Sequence, residues 1–131
     1  MSKKHAQKKI LIVEDNKKLN NILLEKLVRE GFVVYTAFDG EEGLQLAYER
    51  QPDLILLDIL MPVLDGFEFM EQLRNNAWGK KEKVIILTNA SIKDERVAKM
   101  VIQKDPIAFL SKSSTKLKDL VRYIRYAFDD E

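Results

Sequence analysis

Five side chains capable of polar chemistry fall at matching places in this sequence, each just past a short apolar run. Glu14 and Asp15 follow Ile10 to Val13, Asp58 follows Leu54 to Leu57, Thr88 follows Val84 to Leu87, and Lys112 follows Ile107 to Leu110. If those runs are neighbouring strands of a parallel sheet, all five side chains share its carboxyl-end rim, where ligands of such sheets bind. Three carboxylates on one rim repel unless a cation or a shifted pKa relieves them. Carboxylates, carbonyls and water suit Mg²⁺, which takes only one or two protein carboxylates directly. Thiolate metals are excluded because the chain has no cysteine, and its single histidine, His5, lies in a polar leader where no metal or phosphoryl role is expected.

The elements that must position these residues are legible from periodicity. Residues 53 to 66 are central: Leu54 to Leu57 reads as a strand buried on both faces, and Asp58 is delivered at its end. Met61-Pro62 stops the strand and Asp65-Gly66 turns the chain into a new helix. Before it, Lys9 to Val13 predicts a first strand, and Asn16 caps a helix striped by Leu19, Leu23 and Leu27 that stops at Gly31. Phe32 to Phe38 predicts a second strand, and Leu44, Ala47 and Tyr48 give the next helix its apolar face. Beyond Gly66 a helix is carried by Phe67, Met70 and Leu73, then Asn75 to Lys83 reads as a loop. Val84 to Leu87 is a fourth strand, Ser91 with Asp94 forms a capping box for a helix through Val97, Met100 and Val101, and Ile107 to Leu110 is a fifth strand. Thr115 is placed to cap a last helix striped by Leu117, Leu120, Val121, Ile124 and Phe128. Strands alternating with helices give a doubly wound α/β fold: a five-stranded parallel sheet between two helical layers.

At 131 residues the chain is sized for one domain, expected over 9–131 behind a basic, solvated tail at 1–8. With 22 basic against 21 acidic residues there is no global field to gather nucleic acid or anionic membrane. The leader precedes only four aliphatics, too few for a signal-peptide core or a membrane span. The absence of cysteine suits a reducing compartment, so a cytoplasmic location is expected.

In combination, the acidic pair at 14 and 15, Asp-x-x-Met-Pro-x-x-Asp-Gly at 58 to 66, Thr88 at a strand end and Phe-x-x-Lys at 109 to 112 resemble the receiver domain of two-component response regulators, of the CheY type, over roughly residues 9 to 128. The resemblance implies the flavodoxin-like strand order 2-1-3-4-5. It implies that Asp58 accepts a phosphoryl group from a histidine kinase or phosphotransfer protein, and that Glu14, Asp15, Asp58 and the backbone carbonyl of Leu60 hold Mg²⁺. It makes Lys112 and Thr88 the groups that assist transfer, and Thr88 with Phe109 a switch. Those roles fit the chemistry, since phosphoryl transfer to a carboxylate depends on positioning and charge neutralisation. Such a domain is a signalling module rather than an enzyme.

This chain departs from the family pattern at several places. Ser113 stands where a proline in a cis peptide is usual, and a non-proline cis bond costs about 3–4 kcal/mol, which points to trans. Asn89 replaces a small residue after the threonine, Asp105-Pro106 replaces a Gly-Ala before the last strand, and Phe109 lacks a tyrosine hydroxyl. Other readings are a receiver-fold docking domain that is not phosphorylated, and a Mg²⁺-dependent phosphohydrolase with an aspartate nucleophile. The latter needs an acid two residues after the nucleophile, where this chain has Leu60. Between Lys93 and Arg125 nine basic residues face four acids. The last two helices and last strand are therefore expected to meet an acidic output protein, or a second copy on phosphorylation of an otherwise monomeric chain. No nucleic-acid-binding module is visible.

Overall fold

The computed structural model describes residues 4–129. Five strands, β1 (Lys9–Val13), β2 (Val33–Ala37), β3 (Leu54–Leu57), β4 (Val84–Thr88) and β5 (Ala108–Ser111), alternate with five helices, α1 (Lys17–Arg29), α2 (Gly40–Arg50), α3 (Gly66–Asn75), α4 (Glu95–Lys104) and α5 (Leu117–Asp129). The strands pair in parallel in the order β2-β1-β3-β4-β5, as expected. Successive strand residues point to opposite faces, so the uninterrupted aliphatic runs supply two cores at once. Ile10, Ile12, Leu54, Leu56, Ile85 and Leu87 meet α1 and α5 through Leu23, Leu27, Leu120 and Ile124. Leu11, Val13, Ile55, Leu57, Val84 and Ile86 meet α2, α3 and α4 through Leu44, Phe69, Met70, Leu73 and Met100.

Register places the chemistry. Val13 is level with Leu57, and Leu57 with Ile86, so β1, β3 and β4 end side by side and the residues that follow emerge together. Gly66 is required by a close approach: a Cβ there would run into the backbone and side chain of Ile59, so only glycine lets α3 start directly over the end of β3. Asp65 caps that helix by accepting from the Glu68 N–H at 3.0 Å. Gly31, at φ 101°, makes the left-handed turn after α1.

Several local expectations are corrected. The α3 stripe buries Phe69, not Phe67, which is only partly buried and lies under the Arg96 guanidinium at 3.8 Å. Ser91 does not open a capping box: α4 starts at Glu95, and Asp94 is its cap, accepting from the N–H groups of Arg96 and Val97. Thr115 falls one residue too early, because it is the Lys116 carbonyl that accepts from Asp119 and Leu120 at the start of α5. From Lys4 onward the expected tail folds back on the end of α5, where Lys4 and His5 both reach Asp129; residues 1–3 lie outside the described residues. The 75–83 loop contains a 3-10 turn at Gly79–Lys81, and Arg74 pins it by donating to the carbonyls of Gly79 and Glu82 and, across to α4, of Lys104. Among the described residues no helix is long and apolar enough to cross a membrane.

That pinned loop half-buries an acid, Glu82. Burial pushes the Glu82 carboxyl up to about 8, with Asp53 adding to the rise, and one of its oxygens is buried without a hydrogen-bond partner among the described residues. The folded protein therefore keeps a proton that the unfolded chain releases near the ordinary value of 4.5, so this group favours folding at low pH and loses that contribution as pH rises to about 8. Glu82→Gln is expected to remove this slope and to be more stable than the parent at pH 9, with little difference at pH 4, as read from urea midpoints across that range.

Candidate functional site

Each side chain of the site is presented by the end of a strand. Glu14 follows β1 directly, its N–H donating to the Ala37 carbonyl at the end of β2 at 3.0 Å. Its carboxylate is only 2% exposed and accepts from the Asn16 N–H at 2.9 Å, which turns it inward rather than into solvent. Asp58 follows β3, is 4% exposed, and is held by the strands on both sides. Its own N–H donates to the Val13 carbonyl of β1, and its Oδ1 accepts from the Thr88 hydroxyl of β4 at 2.7 Å and from the Leu60 N–H at 3.1 Å. Thr88 is fully buried and its hydroxyl also accepts from the Ala90 N–H, which fixes the first turn of the loop beyond β4.

Lys112 enters from the far side. β5 ends at Ser111, the Lys112 N–H donates to the Thr88 carbonyl at 3.0 Å, and the side chain reaches back across β4. Its ammonium lies 2.7 Å from Asp58 Oδ2 and 2.7 Å from Glu14 Oε1. Two buried carboxylates thus share one cation. Burial pushes the Glu14 carboxyl up, with the Asp58 charge adding to the rise and the bonds from Lys112 and Asn16 opposing it. Burial works against the charge on Lys112, but its bonds to Asp58 and Glu14 overcome that and leave its pKa above the ordinary lysine value. The peptide that follows Lys112 is trans, in keeping with Ser113 in place of proline.

Asp15 completes the acidic set. One carboxylate oxygen from each of Glu14, Asp15 and Asp58 can be chosen so that all three lie within 4.8 Å of one another. Oxygen donors at that spacing fit a hard divalent cation such as Mg²⁺ and offer nothing to a thiolate-seeking or imidazole-seeking metal. Leu60, half exposed, lies beside them on the β3–α3 loop. Phe109 does not touch this charge cluster in the sense of a bond; it sits on β5, level with Ile86, partly buried against the α2–α4 face. Thr88 is two residues beyond Ile86 on the same strand, so hydroxyl and ring share one face of the sheet.

Every residue expected at the rim is found there, and the structure adds one that the sequence reading passed over. Asn20, 1% exposed on α1, donates to the carbonyls of Glu14 and Ala37 at 3.0 and 3.2 Å. The available signal was its place in the stripe Asn20, Leu23, Leu27, where an amide on a buried helix face needs partners.

The sequence matches the family described as the response regulator receiver domain over residues 10–125. The chemotaxis protein CheY4 of Vibrio cholerae has a similar structure, with a TM-score of 0.82 at 26% identity over 92% of this chain and 98% of that one. A CheY-like receiver domain protein from Methanospirillum hungatei gives 0.86 at 25% identity over 95% and 96%. The receiver domain of a sensor histidine kinase from Pseudomonas aeruginosa, determined with a magnesium ion coordinated in its active site cleft, gives 0.81 at 28% identity over 92% and 97%.

The shared cation generates a stability prediction. Lys112→Met leaves two buried carboxylates facing each other, and removing one partner of a buried ion pair costs about 3 kcal/mol or more. Because Glu14 already holds its proton more tightly than an ordinary glutamate, the deficit is expected to be largest at neutral pH and to shrink as pH falls and Glu14 is protonated. Urea midpoints for both proteins at pH 7.5 and pH 5 check this; equal deficits at both values would contradict it.

Proposed function

Because this chain belongs to the response regulator receiver domain family, with the CheY-like fold of two-component signalling, we propose that it is a phosphoacceptor switch that takes a phosphoryl group onto Asp58 from a histidine kinase or phosphotransfer protein in the cytoplasm. In this reading the receiver unit is residues 9–131, and its product is a change of binding surface rather than a released chemical. The observation that carries it is the meeting of Lys112, Thr88 and Asp58 at 2.7 Å contacts beside Glu14 and Asp15.

The chemistry follows from those contacts. Asp58 Oδ1 is held by two donors, Thr88 and the Leu60 N–H, whereas Oδ2 faces Lys112. Oδ2 is assigned as the nucleophile: it forms a bond to phosphorus as the bond from phosphorus to the donor's imidazole nitrogen breaks, and the imidazole leaves with the electron pair and takes a proton from solvent. Glu14, Asp15, Asp58 and the Leu60 carbonyl would hold Mg²⁺, which when bound neutralises charge on the transferring group. Lys112 is already at the reacting carboxylate and supplies a fixed cation to the phosphoryl oxygens as its bond to Oδ2 is given up. Thr88, currently donating to Asp58, then has a better acceptor on the phosphoryl group. Its displacement opens room on the face it shares with Phe109, so the phosphorylated state differs in contacts as a two-state switch requires.

The proposed output surface is narrower than charge counting suggested. Lys104 pairs with Glu71, Arg125 with Glu30, and Lys112 is committed to the site. Lys99, Lys116 and Lys118 remain exposed, and so does Arg122, 3.8 Å from Asp119, which lines a groove of about 570 Å³ between α5 and β5 together with Ile107, Tyr123 and Tyr126. This favours an acidic partner carrying an apolar anchor. Arg122→Glu with Tyr126→Ala is expected to abolish partner capture without altering phosphorylation, whereas Arg125, locked to Glu30, is unsuitable for that test.

Phosphorylation itself is tested by intact mass after incubation with acetyl phosphate and Mg²⁺. The parent is expected to gain one phosphoryl group and Asp58→Asn none; a gain in Asp58→Asn would refute the site. Asn89 is exposed directly after Thr88, and in this reading its side chain obstructs the in-line path of both donor and attacking water. Asn89→Ala is expected to speed both gain and loss of the group, and unchanged rates would remove Asn89 from the account.

A further inference from the structure

Asn20 is a polar side chain in a place that should be apolar. It occupies the core-facing stripe of α1 with Leu23 and Leu27, is 1% exposed, and is one of four buried polar or charged residues among those described, the others being Glu14, Asp58 and Thr88. Asparagine gains nothing from helix propensity there, and a buried amide is tolerated only when hydrogen-bonded. Both of its donated bonds go to one locality. Nδ2 donates to the Glu14 carbonyl at 3.0 Å and to the Ala37 carbonyl at 3.2 Å, and the Ala37 carbonyl also accepts from the Glu14 N–H.

The Glu14 carbonyl belongs to the peptide plane that joins Glu14 to Asp15. β1 ends at Val13, so the sheet no longer sets the orientation of that plane. A bond to its oxygen fixes it, and with it the direction in which the Asp15 side chain leaves the backbone. We propose that Asn20 is a positioning residue for the acidic pair: its amide ties the Glu14–Asp15 peptide to the end of β2 so that both carboxylates face Asp58. This rests on the phosphoacceptor reading for its purpose, but the geometry it predicts exists without metal or phosphate.

The test compares Asn20→Leu, close in size but without a donor, with Leu27→Ala, which weakens the same helix one turn further along and lies outside the small cavity lined by Leu23, Glu14 and Asp58. Two readouts are used: backbone amide shifts of metal-free protein, and the Mg²⁺ dissociation constant by calorimetry at a temperature where all variants are folded. Asn20→Leu is expected to shift the Asp15 and Asn16 amides while leaving the opposite rim near Lys83 in place, and to weaken Mg²⁺ binding about tenfold, the scale of losing an outer partner of a metal ligand. Leu27→Ala should lower stability and leave Mg²⁺ affinity unchanged. Should Asn20→Leu fail to fold, Asn20→Ser, which keeps one donor, is expected to give the same changes at smaller size. Unmoved Asp15 and Asn16 amides overturn the proposal whatever the metal does. A parent protein that binds no Mg²⁺ overturns the metal reading instead and leaves the amide result to decide Asn20.

Discussion

Two buried carboxylates sharing one ammonium group is the constraint on which the rest of this structure depends. Glu14 and Asp58 are almost wholly removed from water, and the Lys112 ammonium bridges them at 2.7 Å on each side. Charges in such a place are tolerated only when paired and hydrogen-bonded. The remaining acceptor positions are filled accordingly, by the Asn16 N–H on Glu14 and by Thr88 and the Leu60 N–H on Asp58. At Glu14 burial outweighs those partners, so its carboxyl is held above its ordinary pKa. A site poised in that way responds to any change of charge placed in it, which is what the proposed switch needs.

The fold exists to maintain that arrangement. Parallel pairing of β1 with β3 and β3 with β4 sets Val13, Leu57 and Ile86 level, so the three loops that follow carry their polar groups to one place. Lys112 comes from the loop after β5, one strand further out, and only a long side chain closes that gap. The aliphatic strands contribute through rigidity. Buried on both faces, they leave the rim groups little freedom to relax away from one another.

Much of this was legible in the sequence, because the features that matter are those a one-dimensional pattern records. Four-residue aliphatic runs ending on polar residues announced both the sheet and its rim, and the expected strand order was found. What the sequence did not carry were choices between near-equivalent positions. Phe67 and Phe69 both fit a helical stripe, and which one is buried depends on where Gly66 lets α3 start against Ile59. Ser91 and Asp94 are both good caps, and Asp94 is used because the chain turns for three more residues before the helix begins. Counting nine basic residues on one face could not tell that Arg125 and Lys104 are turned to Glu30 and Glu71. Asn20 was missed because its role lies in two backbone carbonyls, which a sequence shows as Glu14 and Ala37 with nothing to distinguish them.

Lys112 is held by both acids in the resting protein, and nitrogen-15 NMR of lysine ammonium groups reads that contact. Metal-free protein at neutral pH is predicted to show one ammonium signal, lost in Lys112→Arg, whose hydrogens exchange slowly enough to be seen and correlate with the carboxyl carbons of both Glu14 and Asp58. A Lys112 signal that exchanges as fast as those of Lys93 and Lys99, or that correlates with neither carboxylate, would show that the two acids do not share this cation.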